Sequence, residues 1–348
     1  MHLQPSSNIF FDDHQIVSYI FDKKTGLSGY ISIHRGNGKT PAFGATRIWN
    51  YESDEYALID SLRLSKLMSY KAAMAGLHCG GAKATIIFPK DGIADRKEFF
   101  KSYAKKVNYF SGRFITGADV GVGADDVKIM RRHSKYIVGV LADPVRFTGL
   151  GIYLAMQACL KEVFGSENIL GKSVAIQGVG KVGQSVLKLI YPCTKNIFIT
   201  DIDSDTLKQV TTKYPLVKVV SPLEIQKQKV DIYSPCALSN CLNKKTAKEL
   251  KCKIIAGGAN NQLENDDIAE NIHKQGILYA PDYVANAGGL ISVYDEYEYG
   301  NYRIKRVEER VSVVKNNMIK IIKQSKKSGN NPSVVANNFA DEITDSMV

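Results

Sequence analysis

The sequence lacks the long apolar runs that cross membranes and the residue pairs that hold metals. No segment approaches the roughly 18 uncharged apolar residues that a membrane helix requires. The six cysteines are scattered without a CxxC pair, and the six histidines show no HExxH spacing, so no zinc site is predicted. The N-terminus has no basic segment followed by an apolar run, which argues against a signal peptide. We therefore expect a cytoplasmic protein with reduced cysteines.

Basic residues outnumber acidic ones, but their distribution does not favour nucleic acid. Lys and Arg total 46 against 35 Asp and Glu, for a net charge of +11. The charge is spread along the chain, and its main cluster, residues 303–327, has valines and isoleucines at helical spacing, which is typical of the solvated face of an amphipathic helix. No RNA-recognition or zinc-finger signature occurs. Neither nucleic acid nor a membrane is predicted as a partner.

The pattern of elements changes near residue 148. Residues 1–147 mix short alternating strands with helical stretches such as "DEYALIDSLRLSKLMSYKAAM". The second half begins with a helix that we expect to end at Gly165. Buried strands then alternate with helices through "KSVAIQGVGKVGQSVLKLIY", "NIFITDID", "KVDIYSPCAL" and "CKIIAGGAN". Such alternation predicts an α/β fold in which crossover helices connect the strands of a parallel sheet.

A glycine motif follows the first strand of this second half. Gly178, Gly180 and Gly183 form GxGxxG between the strand Val174 to Gln177 and a helix predicted from Val182. In this context the glycines permit a tight turn and let the backbone approach a pyrophosphate at the helix N-terminus. The motif predicts a dinucleotide site.

An acidic residue ends the next strand. Asp201 lies 23 residues after Gly178 (201 − 178), close to the spacing of about 20 at which an acid binds the adenosine ribose. Because a carboxylate repels a 2′-phosphate, we expect NAD rather than NADP as the cofactor.

Two lysines occur in a stretch whose other residues predict burial. Lys71 and Lys83 lie twelve positions apart (83 − 71), separated mainly by small, apolar or glycine residues. Burial and a neighbouring ammonium group both lower the pKa of a lysine. If both side chains point into one cleft, one lysine holds a carboxylate while the other is neutral and acts as a general base. Asp119, between small residues just after a strand, is a third candidate.

The chain resembles the glutamate, leucine, phenylalanine and valine dehydrogenase superfamily, and most closely leucine dehydrogenase and its aromatic-specific relatives. The resemblance rests on an ordered set of motifs from about residue 30 to 345: "TPAFGATRIW", "MSYKAAMAGLHCGGAKATIIF", "FITGADV", "GVGKVG", "SPCAL", "IAGGANNQL" and "YAPDYVANAGGLISV". It implies NAD-dependent, reversible oxidative deamination of an apolar L-amino acid to a 2-oxo acid and ammonia, in a homo-oligomer.

The resemblance also implies an arrangement of domains. Residues 1–147 would form the substrate-binding and oligomerisation domain. Residues 148–325 would form a Rossmann NAD-binding domain, separated from the first by the active-site cleft. Residues 326–348 would form a C-terminal helix that returns to the first domain.

Residue roles follow from the same resemblance. Lys71 would bind the substrate carboxylate, Lys83 would activate water, and Asp119 would relay protons to and from the amino group. Asn261 and Asn286 would lie near the nicotinamide and the substrate amine. The remaining substrate-site residues would be Phe43, Gly44, Ala45, Met68, Gly117, Leu290 and Val293, and the remaining cofactor-site residues Thr148, Lys181, Val182 and Ala237.

The sequence departs from the family pattern at several places. Gly44-Ala45 replaces Gly-Gly, Gly80-Gly81-Ala82 replaces three glycines, and residues 140–151 are shorter than the family's loop. These departures leave open a sensor that binds NAD without catalysis. A second alternative is an NAD-dependent oxidoreductase without ammonia chemistry, such as a hydroxy acid dehydrogenase. The apolar pocket does not distinguish among leucine, valine, phenylalanine and tryptophan, because one methylene is worth only about 1–3 kcal/mol; large aliphatic side chains are favoured.

Overall fold

The computed structural model describes residues 8–36, 39–194, 196–237 and 239–346. The chain packs as two units. The first comprises the described residues of 1–142, 293–302 and 340–348, and the second those of 143–292 and 303–339.

The first unit is built on a six-stranded mixed sheet. Its strand order is β1-β2-β5-β3-β6, with β4 also paired to β5; β1 and β2 run antiparallel to their neighbours, and β3, β4 and β6 run parallel to theirs. The elements are β1 (Ile16–Asp22), β2 (Leu27–Ile33), β3 (Ala42–Phe43), β4 (Thr46–Trp49), α1 (Asp54–Met74), β5 (Gly80–Ile87), α2 (Arg96–Asn108), β6 (Phe114–Ile115) and α3 (Ala124–Arg131).

Helix α1 covers the whole stretch that the sequence predicts as helical. It begins after Ser53, whose hydroxyl accepts a hydrogen bond from the amide of Tyr56, as an N-cap does. It packs directly against β5, because an added Cβ on Gly81 would lie 2.0 Å from the backbone nitrogen of Ser69. Glycine at position 81 thus brings the helix and the strand that carry the two candidate lysines together.

The second unit contains a six-stranded sheet that is entirely parallel. The strand order β12-β11-β10-β7-β8-β9 is the doubly wound arrangement of a Rossmann fold, with the first strand of the unit, β7, at the centre. The strands are β7 (Val174–Gln177), β8 (Ile197–Thr200), β9 (Lys218–Val219), β10 (Ile232–Pro235), β11 (Ile254–Ile255) and β12 (Leu278–Tyr279).

Helices connect these strands and follow the last one. The first helix ends as predicted, since Gly165 adopts a left-handed conformation with φ of 74° and its amide closes the final turn on Lys161. The helices are α4 (Pro144–Phe164), α5 (Lys181–Ile190), α6 (Ser204–Lys213), α7 (Thr246–Glu249), α8 (Asp266–Lys274), α9 (Asp282–Ala285), α10 (Gly288–Tyr299), α11 (Ile304–Val311), α12 (Val313–Ser328) and α13 (Pro332–Asp345).

The α/β class and the two-domain architecture are those predicted. The second unit starts at Asp143, so the boundary expected between residues 147 and 148 falls inside α4. Most of α13 belongs to the second unit, and the chain joins the first unit again from Ala340. Within the described residues, no helix is long and apolar enough to cross a membrane. The six cysteines are unpaired, and three of them are buried.

Candidate active site

Several candidate site residues of the first unit follow the ends of neighbouring parallel strands. Gly44 and Ala45 come directly after β3, and Gly117 and Asp119 come shortly after β6. Because β3 pairs in parallel with both β5 and β6, these segments meet at one edge of the sheet, beside the middle of β5, where Lys83 lies. The backbone locks them together, since Thr46 donates its amide to the carbonyl of Gly117 and its own carbonyl accepts from the amide of Asp119.

Lys83 and Asp119 form a buried ion pair. The Nζ atom of Lys83 donates to Oδ2 of Asp119 at 2.6 Å, and the two side chains are 6% and 18% exposed. Burial lowers the pKa of Lys83, and the attraction of Asp119 does not restore it to the ordinary value. Burial acts in the opposite sense on Asp119, but the charges of Lys83 and Arg47 outweigh it and hold the pKa of Asp119 well below its usual range. The pair therefore combines an ionised carboxylate with a lysine whose pKa lies below its ordinary value.

Arg47 is a third member of this cluster that the sequence analysis did not identify. Its Nε donates to Oδ2 of Asp119 at 3.0 Å, and among the charges that lower the pKa of Lys83 that of Arg47 is the leading one. From the sequence alone, Lys71 was expected to be the neighbouring positive charge that lowers the pKa of Lys83. The available signal was the alternation in β4, where Arg47 stands between buried Thr46 and Ile48 and thus faces the other side of the strand.

Met68 and Lys71 lie near the C-terminal end of α1. Both are half-buried and three positions apart, so they share one face of the helix. The helix backbone at Met68 approaches β5 closely, because an added Cβ on Gly81 would lie 2.6 Å from its carbonyl carbon. The backbone of Met68 therefore packs against β5 at Gly81, two positions before Lys83. The proposed binding of a carboxylate by Lys71 stays a prediction.

The residues proposed as pocket walls differ in how deeply they are buried. Phe43 is 1% exposed, because its ring packs 5.2 Å from that of Tyr294 and 5.0 Å from that of Tyr297. Gly117 is buried too, and an added Cβ would lie 2.9 Å from the carbonyl oxygen of Val138. Val293 is half-buried on α10 of the first unit. Contact of these side chains with a substrate stays a prediction.

The glycine motif of the second unit forms a tight turn between β7 and α5. Gly178 has φ of 88° and donates its amide to the carbonyl of Thr200. An added Cβ on Gly183 would lie 2.0 Å from the carbonyl oxygen of Gly178, so glycine there permits the close approach of helix and turn. Gly180, in contrast, is exposed and has open space where a Cβ would stand. The turn thus presents bare backbone at the start of α5, which fits a pyrophosphate group.

Asp201 follows β8 and interacts with this turn. Its Oδ2 accepts the amide of Val179 at 2.8 Å, and its Oδ1 accepts the amide of Asp203 at 3.1 Å. The sequence predicted an acid at this place but not its bond to the turn. The side chain of Thr200, next to Asp201, is buried and its hydroxyl has no hydrogen-bond partner.

The other predicted cofactor residues surround the same end of the sheet. Ala237 follows β10 and lies against Gly178, whose added Cβ would be 2.7 Å from the Cβ of Ala237. Lys181 is exposed in the first turn of α5, and Val182 lies close to Gly258. These positions agree with a dinucleotide crossing the carboxyl ends of β7, β8 and β10.

Asn286 and Asn261 stand in distinctive environments. Asn286 is buried and donates through Nδ2 to Oδ1 of Asn260 at 3.0 Å and to the carbonyl of Gly258 at 3.3 Å, while its own Oδ1 has no partner. An acceptor left without a partner inside a protein suits a ligand N–H group. Asn261 has a left-handed backbone with φ of 52°.

Thr148 on α4 lies against Gly289, the residue before Leu290, in the second unit. Thr148 donates its hydroxyl to the carbonyl of Pro144 and stands next to Gly289, whose added Cβ would be 2.5 Å from Oγ1. Leu290 follows on α10 and is half-buried. Within the described part of the chain, no group of histidine, cysteine or acidic side chains is arranged to hold a metal.

Known proteins resemble the chain along nearly its full length. Residues 199–344 match the family described as Glutamate/Leucine/Phenylalanine/Valine dehydrogenase, and residues 14–137 match its dimerisation domain. Leucine dehydrogenase from Bacillus cereus is 40% identical over 95% of this chain and 90% of its own. L-tryptophan dehydrogenase from Nostoc punctiforme is 37% identical over 94% and 93%.

Solved structures agree with this relationship. The crystal structure of the L-tryptophan dehydrogenase from Nostoc punctiforme superposes with a TM-score of 0.81 at 36% identity and covers 96% of both chains. The motifs, the two folds and the identity along the chain lead to one assignment: the chain belongs to the glutamate/leucine/phenylalanine/valine dehydrogenase family of oxidoreductases.

Proposed function

We propose that the protein catalyses the NAD-dependent, reversible oxidative deamination of an apolar L-amino acid to its 2-oxo acid and ammonia. The observation that carries the proposal is the buried ion pair of Lys83 and Asp119, in which burial holds the pKa of the lysine below its ordinary value. The addition of water requires a base, and the departure of ammonia requires a group that transfers a proton to the nitrogen; this pair places both groups together.

The residues of the first unit divide this work. Lys71 binds the α-carboxylate of the substrate and fixes its orientation. Once the α-hydride has left the substrate, neutral Lys83 takes a proton from water, whose oxygen attacks the iminium carbon. Asp119 takes a proton from the substrate ammonium group before the hydride leaves, and it returns this proton to the nitrogen once water has added. Ammonia then leaves, and the new hydroxyl group releases its proton to solvent as the carbonyl of the 2-oxo acid forms. Lys83 returns its proton to solvent before the next cycle.

The family implies a nicotinamide cofactor, and we infer that NAD is preferred. When bound, NAD accepts the hydride. The exposed backbone of Gly180 and the N-terminus of α5 hold the pyrophosphate, and Asp201 accepts hydrogen bonds from the ribose. The free Oδ1 of Asn286 is available to an N–H group of the carboxamide or of the substrate. The negative charge of Asp201 disfavours the 2′-phosphate of NADP.

The apolar character of the predicted pocket supports an aliphatic or aromatic substrate. Phe43, Met68, Gly117, Leu290 and Val293 offer no positive charge to a side-chain carboxylate. The similar proteins are named leucine, tryptophan and valine dehydrogenases. Large aliphatic amino acids are the favoured class, and aromatic ones come next.

The test is formation of NADH at alkaline pH with a panel of L-amino acids. We expect turnover with leucine, valine or a related apolar amino acid, and its loss in Lys83→Ala. Lys101→Ala is the matched control, because the ion pair that Lys101 forms in the described part of the chain is with Glu98 on its own helix α2. If no amino acid of the panel gave NADH while the protein still bound NAD, the proposal would be replaced by that of an NAD-binding sensor. Oxidation of 2-hydroxy acids in its place would identify a dehydrogenase without ammonia chemistry.

We further propose that the enzyme is a homo-oligomer. The support is the match of residues 14–137 to a domain described as a dimerisation domain. Light scattering coupled to size-exclusion chromatography gives the mass directly, and a mass of 38.5 kDa would identify a monomer and refute the proposal.

A further inference from the structure

Arg47 is held in a chain of ion pairs that ends at the catalytic cluster. Its Nε donates to Oδ2 of Asp119 at 3.0 Å, and its Nη1 donates to Oδ2 of Asp60 at 3.0 Å. Asp60 is fixed in turn, because it accepts the hydroxyl of Tyr51 at 2.8 Å and Nη2 of Arg63 at 3.2 Å. Arg47 is 19% exposed and Asp60 is 14% exposed. The guanidinium group thus has one defined position.

Arg47 and Lys83 both donate hydrogen bonds to the same atom of Asp119. Both donate to Oδ2 of Asp119, while neither donates to Oδ1. The arginine keeps its proton while Lys83 titrates. Burial alone would lower the pKa of the Arg47 guanidinium group, but the charges of Asp119 and Asp60 outweigh burial and raise this pKa above its already high ordinary value. When Lys83 releases its proton, Asp119 therefore keeps a cationic partner. Without Arg47, the same step would leave a buried carboxylate without compensation, which is costly.

The elements around Lys83 supply few other charges. Helix α1 contributes Asp60 and Arg63 to the network and carries Lys71 in its last turn. The strand β2 places uncharged Ser32 opposite Lys83. Among these groups Arg47 is the leading positive charge that lowers the pKa of Lys83, whereas Asp119 and Asp60 raise it.

We propose that Arg47 is a positioning residue that holds Asp119 in place and supplies the fixed positive charge that lets Lys83 work as a neutral base. This inference rests on the proposed function, since it assigns Lys83 the part of the base. It goes beyond that function by naming the group that sets the pH at which the base becomes available.

The experiment compares three variants by the pH dependence of kcat/KM. Arg47→Gln removes the charge, so the acidic limb of the profile should move upward by about one pH unit or more. Arg47→Lys restores the charge and should return the limb most of the way to its wild-type position. Lys101→Gln is the control, because it also removes one positive charge, and the ion pair of Lys101 is with Glu98 on its own helix α2 rather than with Asp60 or Asp119. Its limb should stay in place.

A second measurement does not depend on activity. Trace acetylation with acetic anhydride, followed by peptide mass spectrometry, reports the pH at which Lys83 becomes neutral. In Arg47→Gln this pH should rise as the kinetic limb does. If the wild type showed no deamination, the labelling would still test Arg47 while the proposed function alone failed.

The inference would be overturned if, in folded Arg47→Gln, the acidic limb of the kcat/KM profile stayed at the same pH or moved to lower pH and the pH dependence of Lys83 labelling did not change. Circular dichroism and a cooperative melt establish folding. If the glutamine variant does not fold, Arg47→Met serves in its place, because methionine is long and leaves no new polar group buried.

Discussion

Lys83 and Asp119 lie 36 positions apart in the sequence, yet Nζ of the lysine is 2.6 Å from the carboxylate of the aspartate. The lysine is on the central strand β5, and the aspartate follows β6, which reaches β5 through β3. Their contact is therefore a product of the sheet order. It provides the pair on which the proposed chemistry depends.

The first prediction concerns the pH dependence of deamination. The pKa of Lys83 is lowered by burial, so the neutral lysine exists at a lower pH than for an exposed lysine, whose pKa is about 10.4. Since the neutral form is active, kcat/KM should rise about tenfold per pH unit below this pKa and level off above it. Initial rates of NADH formation across mildly acidic to alkaline pH measure it. A flat profile would exclude Lys83 as the base.

The second prediction separates the two interactions of Asp201. Asp201→Asn keeps an oxygen that accepts the amide of Val179 but loses the negative charge, so the preference for NAD over NADP should fall by roughly tenfold or more. Asp201→Ala also loses the bond to the turn and should weaken both cofactors. Dissociation constants from fluorescence titration measure these effects. An unchanged ratio in Asp201→Asn would mean that other residues select the cofactor.

The third prediction uses two glycines of the same turn. In Gly183→Ala the new methyl would lie 2.0 Å from a backbone oxygen, so both the melting temperature and NAD binding should decrease. In Gly180→Ala the methyl enters open space, so the protein should melt within a few degrees of wild type while NAD binding weakens. Thermal melts and calorimetric titration with NAD distinguish the two. Normal NAD affinity in Gly180→Ala would place the pyrophosphate elsewhere.

The fourth prediction concerns stability in acid. His34 is 1% exposed between Asp12 and Ser69, and burial, with the charge of Arg35, lowers its pKa to about 3. Its pKa in the unfolded chain is about 6.5, so the unfolded state binds more protons as the pH falls below that value. The free energy of unfolding should therefore drop by roughly 3 kcal/mol between about pH 6.5 and pH 4.

Urea denaturation at a series of pH values measures this slope. His34→Gln removes the titrating group and should flatten it, whereas His78→Gln, at an exposed histidine, should not. An unaltered slope in His34→Gln would assign the acid sensitivity to other groups.

The parts of the molecule that depend on neighbouring residues were predictable from the sequence. The turn from Gly178 to Gly183 needs only a strand, three glycines and a helix in succession, and α1 needs only its apolar spacing and Ser53. Both were found where they were expected, although α5 begins at Lys181, one residue earlier than predicted.

The parts that depend on distant contacts were less accessible. Lys83 and Asp119 were recognised as candidates, but their pairing follows from the order of β5, β3 and β6, which one sequence does not specify. Arg47 was missed because a charged residue on a short strand normally faces solvent. Here Asp60 on α1 and Asp119 after β6 enclose it, and both are long-range partners.

The close packing of α1 on β5 also limits how the protein can be redesigned. Glycine is obligatory at position 81, where a methyl would lie 2.0 Å from the backbone nitrogen of Ser69 on α1. It is also obligatory at position 80, where a methyl would lie 1.7 Å from the carbonyl oxygen of Arg35, whereas Ala82 is buried in the core and is accepted. A mutant library aimed at new substrates should therefore leave Gly80 and Gly81 fixed. It should vary the side chains around them, because diversity placed at those two glycines would yield mostly unfolded clones.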